Sequence, residues 1–442
     1  MSTLIGYSSA GTGVRYDLGT TDSIFVVPGA TIVSTDSNAI SGVGSGHSVT
    51  VAGAVFGSYI AIDLGDDAAT DSGQFVHVLA GAAVAGIQTY DSAGVRLFGS
   101  STLVNDGEIS ANIGVVLWND ASGSSSMVNR GTITGSNYGV AIYSGAAATL
   151  TNFGSIYGGD YAVHPTGGAA QVSIHNRGEI LGTVDTGYGN DTINNRNGTI
   201  EGDITMGEGN DVYNGIRGTV SGTVLGQGGS DKFIGNALLA EVFDGGDGVD
   251  TLDFSLMGAV VVALDNSLLA GGSALDDTYI SFENVFGSNS GDDVIVGSNA
   301  ANTLFGNGGN DVINGLRGND VLRGGVGADI LSGGHGHDTF RYYRTNEFGD
   351  KITDFSSAAV GNNDRFQFST AIGGGIEVGV IDASEFQVRG DNQAQDADDR
   401  FIFRTTDHTL WFDEDGNGAA AALMVADLQA GATVTAGDIF IF

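Results

Sequence analysis

The stretch GNGGNDVINGLRGNDVLRGGVGADILSGGHGHDTF, residues 306–340, repeats an aspartate every nine residues. Each aspartate has a glycine two positions before it and an aliphatic or aromatic residue two positions after it. The register begins near residue 288, with substitutions at Ala300 and Asn302. Side chains alternate between the two faces of a strand, so the apolar residue of each unit can point into a core. The pattern predicts a turn of about six residues followed by a strand of about three.

Two nine-residue units make one coil with a turn on each edge, so each turn lies over the turn two units earlier, about 4.8 Å away. The polar residues of the repeat should therefore stack in two columns: Asp293, Asp311 and Asp329; Asn302, Asp320 and Asp338. Carboxylates about 5 Å apart repel by on the order of 3 kcal/mol at an effective dielectric of about 20. A Ca²⁺ ion between successive turns would offset this repulsion, held by aspartates and by the carbonyls of glycine-rich turns. The segment predicts a parallel β-roll loaded with several calcium ions.

A weaker repeat covers the N-terminal half, in segments such as LVNDGEIS, MVNRGTIT and LTNFGSIY. Its marker glycines are spaced by 20 to 24 residues: Gly107, Gly131, Gly154, Gly178, Gly198 and Gly218. Short alternating runs between the markers indicate strands, and helix signals are scarce. This period predicts a parallel β-helix, with coincidental turns in an antiparallel β protein as the alternative. The recurring Asn105, Asn129, Asn152 and Asn176 are expected to stack as an internal ladder whose amides bond the turn backbone.

A second pattern overlies the last β-helix coils, where Asp191, Asp211, Asp231 and Asp250 are 20, 20 and 19 residues apart. One aspartate per coil should therefore stack along one edge there too. The predicted calcium ligands are these aspartates, those of the nine-residue repeat and the glycines two positions earlier: Asp191, Asp211, Asp231, Asp250, Asp293, Asp311, Asp320, Asp329, Asp338, Gly189, Gly209, Gly229, Gly248, Gly291, Gly309, Gly318, Gly327 and Gly336.

The composition is strongly acidic, with 52 Asp and Glu against 16 Lys and Arg and a net charge of -36. Such a chain repels nucleic acid and anionic membrane surfaces, so we expect neither nucleic-acid binding nor membrane insertion. Its hydrophobic fraction of 41% and its spaced carboxylates favour a folded chain that takes up divalent cations. There is no cysteine, no apolar run of the roughly 20 residues that a membrane helix requires, and no conventional N-terminal signal peptide.

The segment GDDVIVGSNAANTLFGNGGNDVINGLRGNDVLRGGVGADILSGGHGHDTFRY resembles the RTX, or hemolysin-type calcium-binding, family. The resemblance is close over 245–345 and looser over 183–244. It implies Ca²⁺ as the ligand, with a weak or empty half-site where Ala300 and Asn302 replace the usual Gly and Asp. Residues 346–442, with GDKITDFS, DRFQFS and AGDIFIF, also resemble the C-terminal region that type I secretion systems read. The resemblance therefore implies a secreted, extracellular protein with the type I secretion apparatus as a partner.

The expected fold class is all-β: a right-handed parallel β-helix continuing into a calcium-binding parallel β-roll, with a C-terminal β-rich cap. The predicted domains are a β-helix over 1–182, β-helix coils with the 20-residue aspartate ladder over 183–253, a connecting segment over 254–286, the RTX β-roll over 287–345, and the cap and secretion region over 346–442.

The favoured function is structural or adhesive: an extracellular, calcium-dependent surface-layer, matrix or attachment protein that folds on calcium binding. Self-association or a cell-surface glycan would be its partner. The alternative is a carbohydrate-active enzyme, because many parallel β-helices act on polysaccharides. Asp63, Asp66, Asp67 and Asp71 read better as a solvated loop than as paired catalytic carboxylates. The pair Tyr161 and His164 lacks flanking acidic residues.

A site for an anionic sugar would need clustered basic residues, and those of residues 1–250 are few and scattered in the sequence: Arg15, Arg96, Arg130, Arg177, Arg196, Arg217 and Lys232. No H-E-x-x-H motif occurs, which excludes an RTX-type metalloprotease. The sequence therefore leaves enzymatic activity undecided and favours a protein without it.

Overall fold

A computed structural model of the chain describes residues 3–19, 21–66, 71–88, 90–118, 123–143, 145, 147–167, 171–235, 241–265, 277–358 and 362–442. The fold is all-β, a parallel β-solenoid with a helical content of 3%. No helix in these ranges is both long and apolar enough to cross a membrane. The chain divides into two compact units, Met1–Asn236 with Glu241–Gly248, and Ala237–Ala240 with Val249–Phe442.

The first unit is a parallel β-helix whose coils contribute strands to three columns. The first column pairs in parallel from coil to coil: Thr3–Gly6, Ser23–Val26, Ser48–Val51, Ser72–Val78, Ser100–Asn105, Ser124–Asn129, Ala147–Asn152, Val172–Asn176, Thr192–Asn194, Val212–Asn214 and Lys232–Ile234.

The second and third columns merge where one long strand serves both. The second contains Ser9–Gly11, Thr31–Ser34, Ala54–Gly57, Ala83–Gly86, Glu108–Trp118, Thr132–Tyr143, Ser155–Thr166, Glu179–Asp185, Thr199–Glu201 and Thr219–Val220. The third contains Tyr16–Leu18, Ile40–Gly42, Ile60–Leu64, Ala93–Phe98, the later halves of the long strands, Ile204–Glu208, Thr223–Gly229, Val242–Asp244 and Asp247–Gly248.

The core of this unit is a stack of apolar side chains, with one or more from most of its strands. In the first column Leu103, Leu150 and Ile174 are completely buried and successive coils pair in register. Burying one such side chain contributes about 1.5–3 kcal/mol. The predicted parallel β-helix is therefore confirmed, and the antiparallel alternative is wrong.

The asparagine ladder lies inside the turn that follows the first column. The side-chain amide of Asn105 donates to Oδ1 of Asn129 at 2.8 Å, and Asn129, Asn152 and Asn176 repeat this bond to the next coil at 2.8, 2.9 and 2.8 Å. Each of these four amides also donates to the backbone carbonyl of the first residue of the second-column strand in the next coil, as from Asn129 to Ser155 at 3.0 Å. The expected ladder is confirmed, and it extends to Asn195, which the sequence analysis did not include.

The second unit contains a roll with two strands per coil and a β-rich C-terminal part. One column contains Thr251–Asp253, Asn284–Phe286, Thr303–Gly308, Val321–Val326, Thr339–Tyr342, Arg365–Phe368, Ile439–Ile441 and the antiparallel Gly379–Val380. The other contains Val261–Ala263, Val294–Val296, Val312–Asn314, Ile330–Ser332, Asp350–Ile352, Leu423–Leu428, Thr409–Phe412, Phe401–Arg404 and Phe386–Arg389.

The remaining segments of this unit are short. They are the strands Thr278–Ile280, Ser357–Ala358 and Asn362–Asn363, and the 3-10 turns Thr345–Glu347, Thr370–Ile372, Ala383–Glu385 and Ala436–Asp438.

The roll has the predicted register. Val312 pairs with Ile330, which is 18 residues further along, and the apolar residue of every nine-residue unit is buried at 0 or 1% exposure: Ile295, Leu304, Ile313, Leu322, Leu331 and Phe340. Beyond the repeat, aromatic rings continue the core into the C-terminal part, with Phe340 6.1 Å from Phe366 and Phe368 4.9 Å from Phe401 between ring centroids. The repeat and the C-terminal part therefore share one hydrophobic core.

Candidate calcium sites

The aspartates of the roll are joined by hydrogen bonds from coil to coil. The backbone N–H of Asp293 donates to Oδ1 of Asp311 at 2.8 Å, Asp311 donates to Asp329 at 2.7 Å, and Asp329 donates to Asp350 at 3.0 Å. One oxygen of each accepting carboxylate is thus fixed by the turn of the preceding coil. We call this row the first aspartate ladder.

A second aspartate ladder lies on the opposite edge. The N–H of Asn302 donates to Oδ1 of Asp320 at 2.7 Å, Asp320 donates to Asp338 at 2.9 Å, and Asp338 donates to Asp364 at 3.0 Å. At the start of the same column, the N–H of Asp250 donates to Oε2 of Glu283 at 2.8 Å. The alternation of the two edges is the one that the nine-residue period predicted.

A third aspartate ladder lies in the first unit. The N–H of Val172 donates to Oδ1 of Asp191 at 2.7 Å, Asp191 donates to Asp211 at 2.7 Å, and Asp211 donates to Asp231 at 2.8 Å. Its coils are 20 residues long rather than 18, yet the aspartates keep the same relation to the strand that follows. The ladder therefore depends on coil-to-coil register and not on the nine-residue spacing.

The second carboxylate oxygen has a different environment. In the described part of the chain, Oδ2 is buried and accepts no hydrogen bond at several ladder positions: Asp191, Asp211, Asp311, Asp320, Asp329, Asp338 and Asp350. Leaving a buried acceptor unsatisfied costs about 1–3 kcal/mol, and more when the group is charged. Seven such oxygens at equivalent positions indicate places where a cation completes the structure.

Glycine makes room for these oxygens. A Cβ atom on Gly306 would collide with Oδ2 of Asp311, and one on Gly324 would collide with Oδ2 of Asp329. A different glycine, two positions before each aspartate, is required for another reason. Gly327, for example, has a φ of 153°, and a Cβ atom there would strike the carbonyl oxygen of Gly309. The turn carbonyls are thus stacked closely between successive coils.

The predicted glycine positions share this geometry with one exception. The backbone φ is positive at Gly189, Gly209, Gly229, Gly248, Gly309, Gly318, Gly327 and Gly336. Gly291 is not among them, and its N–H donates to Oγ of Ser288 at 2.8 Å. The first turn of the roll is therefore built differently from those that follow.

The electrostatics of the ladders favour an added cation. Burial raises the pKa of Asp191, Asp211, Asp311 and Asp320 to about 7, and the neighbouring aspartates of the same row raise the pKa of Asp311 further. A desolvated carboxylate is poorly stabilised as an anion unless positive charge lies close to it. The repulsion expected from the sequence is present, although desolvation is the larger cause.

The donor set fits calcium. Within the described ranges, no group of three or more His, Cys, Asp or Glu side chains could hold a metal ion on its own. Each ladder instead offers one carboxylate oxygen per coil beside stacked glycine carbonyls, and Ca²⁺ accepts backbone carbonyls and carboxylates together. The buried Oδ2 atoms and the glycine turns are thus the groups that could hold the ion.

One predicted ligand, Asp293, and the substituted position Asn302 have hydrogen-bond partners without an ion. Both oxygens of Asp293 accept hydrogen bonds, from Val260 N–H at 2.8 Å and from Ser288 N–H at 2.6 Å. Oδ1 of Asn302 accepts from Ser298 N–H at 2.7 Å. Ser288 and Ser298, in the turns before these residues, supply the contact that an ion would make at the other ladder positions. The weak calcium half-site expected at Asn302 remains a prediction, and we now expect a weak half-site at Asp293 as well.

Sequence reasoning missed three ladder members, namely Glu283, Asp350 and Asp364. Asp364 has a pKa raised to about 7, mainly by burial, and Asp350 is buried completely. All three lie at the start of a strand, Glu283 and Asp364 directly before it and Asp350 as its first residue, in the pattern acidic-x-apolar, as in DRF at 364–366 and DKI at 350–352. That short pattern was the available signal, but the insertions between coils break the nine-residue count.

Two residue groups considered for an enzyme site also differ from expectation. Asp63 and Asp71 are buried rather than solvated, because Asp63 accepts two bonds of 2.8 Å from Arg96 and Oδ2 of Asp71 accepts from Asp66 N–H. The interpretation of this group as a solvated loop is wrong for these two residues, while Asp67 lies outside the described residues. His164 does have an acidic partner, Asp185, at 3.1 Å.

Comparison with known families agrees with this geometry. Residues 288–322 and 315–342 match the RTX calcium-binding nonapeptide repeat, in four copies. This segment, which contains most of the residues of the first and second aspartate ladders, therefore consists of RTX calcium-binding repeats. No curated protein matches the chain.

Proposed function

We propose that this calcium-binding RTX protein acts outside the cell, in a structural or adhesive role, and that its roll folds when calcium binds. The observation that carries the proposal is the set of buried, unbonded Oδ2 atoms along the ladders. Without calcium these oxygens are desolvated and repel one another. With calcium, the free energy of ion binding becomes free energy of folding.

Calcium coupling also supports the proposed localisation. Extracellular calcium modules bind at about 10⁻⁴–10⁻³ M, well above cytosolic calcium. The roll would then stay unfolded in the cytosol and fold outside, which suits export of an unfolded chain. RTX repeats are typical of type I secreted proteins, so the type I secretion apparatus is the proposed export partner and residues 346–442 are its proposed recognition region.

The choice of a structural or adhesive role rests on the regular coils and their surface. The described strands form coils with regular parallel edges, and the hydrogen-bond ladders give each coil a fixed relation to the next. A regular and charged surface of this kind suits repeated contacts with a matrix, a glycan or further copies of the chain. Asp191, Asp211, Asp231 and Asp250, with their glycines, are proposed as calcium ligands together with those of the roll.

Hydrogen–deuterium exchange on the full chain tests the proposal. Calcium should increase protection of Val312–Asn314 and Ile330–Ser332, whereas the strands Ser100–Asn105 and Ser124–Asn129, which precede every aspartate ladder, should be protected in chelator as well. Light scattering on the same samples should detect assembly on calcium addition if the role is structural. Equal protection of the roll with calcium and with chelator would contradict calcium-coupled folding.

A second candidate function is a carbohydrate-active enzyme, favoured by one local arrangement. His164 is held by Asp185 at 3.1 Å and its ring stacks on Tyr161 with centroids 4.4 Å apart. A histidine oriented by a carboxylate beside a tyrosine has the residue types of a general acid–base pair. Incubation with uronate polysaccharides, followed by detection of new reducing ends, unsaturated products or changed C5 configuration, tests it. Activity that the variant His164→Gln retains would exclude this site.

A further inference from the structure

Coil length brings together two arginines that are distant in the sequence count. The ladder bond from Asn176 to Asn195, 2.8 Å long, places these asparagines one above the other. Arg177 and Arg196 directly follow them and therefore leave the same turn in adjacent coils. Adjacent coils are about 4.8 Å apart. The expectation that the basic residues are scattered is wrong for this pair.

The two arginines form one side of a pocket that runs across three coils. The turn side consists of Phe153, Arg177 and Arg196, and the strand side consists of Thr151, His175 and Asn194, which pair in register. The pocket has a volume of about 310 Å³. Two parallel rows with one residue per coil thus face a shared groove.

The two arginines of this groove have no carboxylate partner among the described residues. Arg96, Arg130 and Arg323 each form an ion pair with a carboxylate. In the described ranges, the side chains of Arg177 and Arg196 have neither an ion-pair nor a hydrogen-bond partner. Two unpaired cations side by side repel, in a chain of net charge -36 that has abundant carboxylates. The arrangement is understandable if an anionic ligand lies across both guanidinium groups.

The other residues of the groove narrow the chemistry of that ligand. The ring of Phe153 is 46% exposed and offers an apolar surface of the kind on which a sugar ring packs. Asn194 lines the strand side of the groove, and its side-chain amide is a hydrogen-bonding group of the kind that pairs with a hydroxyl. Guanidinium groups bind carboxylates in a bidentate manner. Carboxylate, hydroxyl and apolar ring face occur together in a uronic acid.

We infer that this groove binds an acidic glycan, with the carboxylates of uronate residues on Arg177 and Arg196 and a sugar ring against Phe153. A glycan that lies along the coil axis meets Arg177 and Arg196 at equivalent positions of adjacent coils, so the two arginines can hold two carboxylates of one chain. The inference rests on the proposed adhesive function and names its partner. The positive groove also gives a strongly acidic protein a local point of attachment to a polyanion.

The test is calorimetric titration of a uronate tetrasaccharide, too short to form a gel, into the calcium-loaded full chain. The variant Arg177→Gln/Arg196→Gln should bind at least roughly tenfold more weakly, the effect of losing charge-assisted hydrogen bonds. The matched control Arg317→Gln/Arg344→Gln removes the same charge from two exposed arginines of the second unit and should bind like the parent. Phe153→Ala should also weaken binding.

The comparison ligands separate the sources of a signal. A neutral tetrasaccharide and sodium acetate should not bind measurably. Equal binding by the parent and the double variant would overturn the inference, because it would mean that calcium on the aspartate ladders bridges to the glycan. Equal binding of a single-stranded oligonucleotide would also overturn it, since the groove would then select charge and not sugar.

The same samples report on the proposed function independently. Far-ultraviolet circular dichroism with and without calcium measures folding of the roll in the parent and in each variant. A normal calcium response without glycan binding would refute the glycan site alone. Absence of a calcium response in the parent protein would refute calcium-coupled folding. The glycan site would then be tested by the same titration in chelator.

Discussion

The backbone N–H of Asp311 donates a 2.7 Å hydrogen bond to Oδ1 of Asp329, the aspartate one coil further along the chain. Asp311 uses its own Oδ1 to accept from Asp293 at 2.8 Å, and its Oδ2 stays buried without a hydrogen bond. A residue that donates to one neighbour, accepts from another and keeps one oxygen for an ion links three coils. Its substitution should therefore affect both calcium binding and the stability of the roll.

Asp311→Asn keeps the size of the side chain and removes its charge. We expect the loss of at least one bound calcium ion and a roll less stable in calcium by about 1–3 kcal/mol, the cost of an unsatisfied buried contact. Calorimetric titration and thermal melting measure the two effects. The control is Asp292→Asn, because Asp292 is exposed and already accepts a hydrogen bond from Asn310 N–H. Unchanged calcium stoichiometry in Asp311→Asn would contradict the assignment of this ladder.

Asn302→Asp introduces a carboxylate into the second aspartate ladder. In chelator the new charge should destabilise the roll, because its neighbour Asp320 is already buried and hard to ionise. In calcium the variant should bind one further ion. The companion variant Ala300→Gly/Asn302→Asp distinguishes turn geometry from ligand charge, since Gly occupies the position of Ala300 in most other units. An unchanged ion count in both variants would show that Ser298 keeps this turn closed to calcium.

The pH dependence of the calcium-free roll follows from its carboxylates. Burial raises the folded-state pKa of Asp311 and Asp320 to about 7, whereas an unfolded aspartate has a pKa of about 3.9. The folded state thus binds more protons between pH about 4 and 7, so stability is lost as pH rises through this window. In chelator, the roll should be more structured at pH 5 than at pH 8.

Calcium should reverse this dependence. Protons compete with Ca²⁺ for the same oxygens, so the affinity for calcium should fall as the pH falls from 8 to 5. Circular dichroism in chelator and calorimetry in calcium check both directions. A calcium-free roll that gains structure as the pH rises would show that the ladder aspartates are ionised when folded.

Asn129→Ala tests the asparagine ladder of the first unit. The change removes the amide that accepts from Asn105 and donates to Asn152, so the first unit should lose about 1–3 kcal/mol of stability. The loss should be the same in calcium and in chelator, because no aspartate ladder passes through this coil. Asn112→Ala removes an exposed bond to Ser136 and should have little effect. A calcium-dependent effect of Asn129→Ala would mean that the two kinds of ladder are coupled.

The sequence predicts the roll better than it predicts its ends. Between residues 288 and 340 every coil has the same length, so a single count locates Asp320 and its buried neighbour Leu322. Asp350 follows Asp329 by 21 residues and Asp364 follows Asp338 by 26, so the count fails although the ladder bonds persist. Strands pair from coil to coil even when the loops between them differ in length. A search with a fixed period therefore misses ladder members that follow a longer loop.

Unequal coil length is also the reason why the sequence does not predict that Arg177 and Arg196 are neighbours. Asn152 and Asn176 are 24 residues apart, but Asn176 and Asn195 are only 19 apart, and the ladder bond is of similar length in both cases. Only the pairing of Thr151 with His175 and of His175 with Asn194 shows that Arg177 and Arg196 share one turn. Whether a guanidinium group lacks a partner depends on the groups around it in the fold, and the sequence alone does not show which groups these are.

The ladder bonds all run in one direction, from the N–H of one coil to the carboxylate of the coil after it. The final acceptors in the second unit, Asp350 and Asp364, lie beyond the last nine-residue repeat. A chain that ended at Tyr342 would leave the amides of Asp329 and Asp338 without acceptors, although every repeat would still be intact. The ordered state of the repeats is therefore expected to grow backwards, from the C-terminal coils toward the N-terminal ones, and the smallest piece that can fold with calcium must include residues up to Asp364.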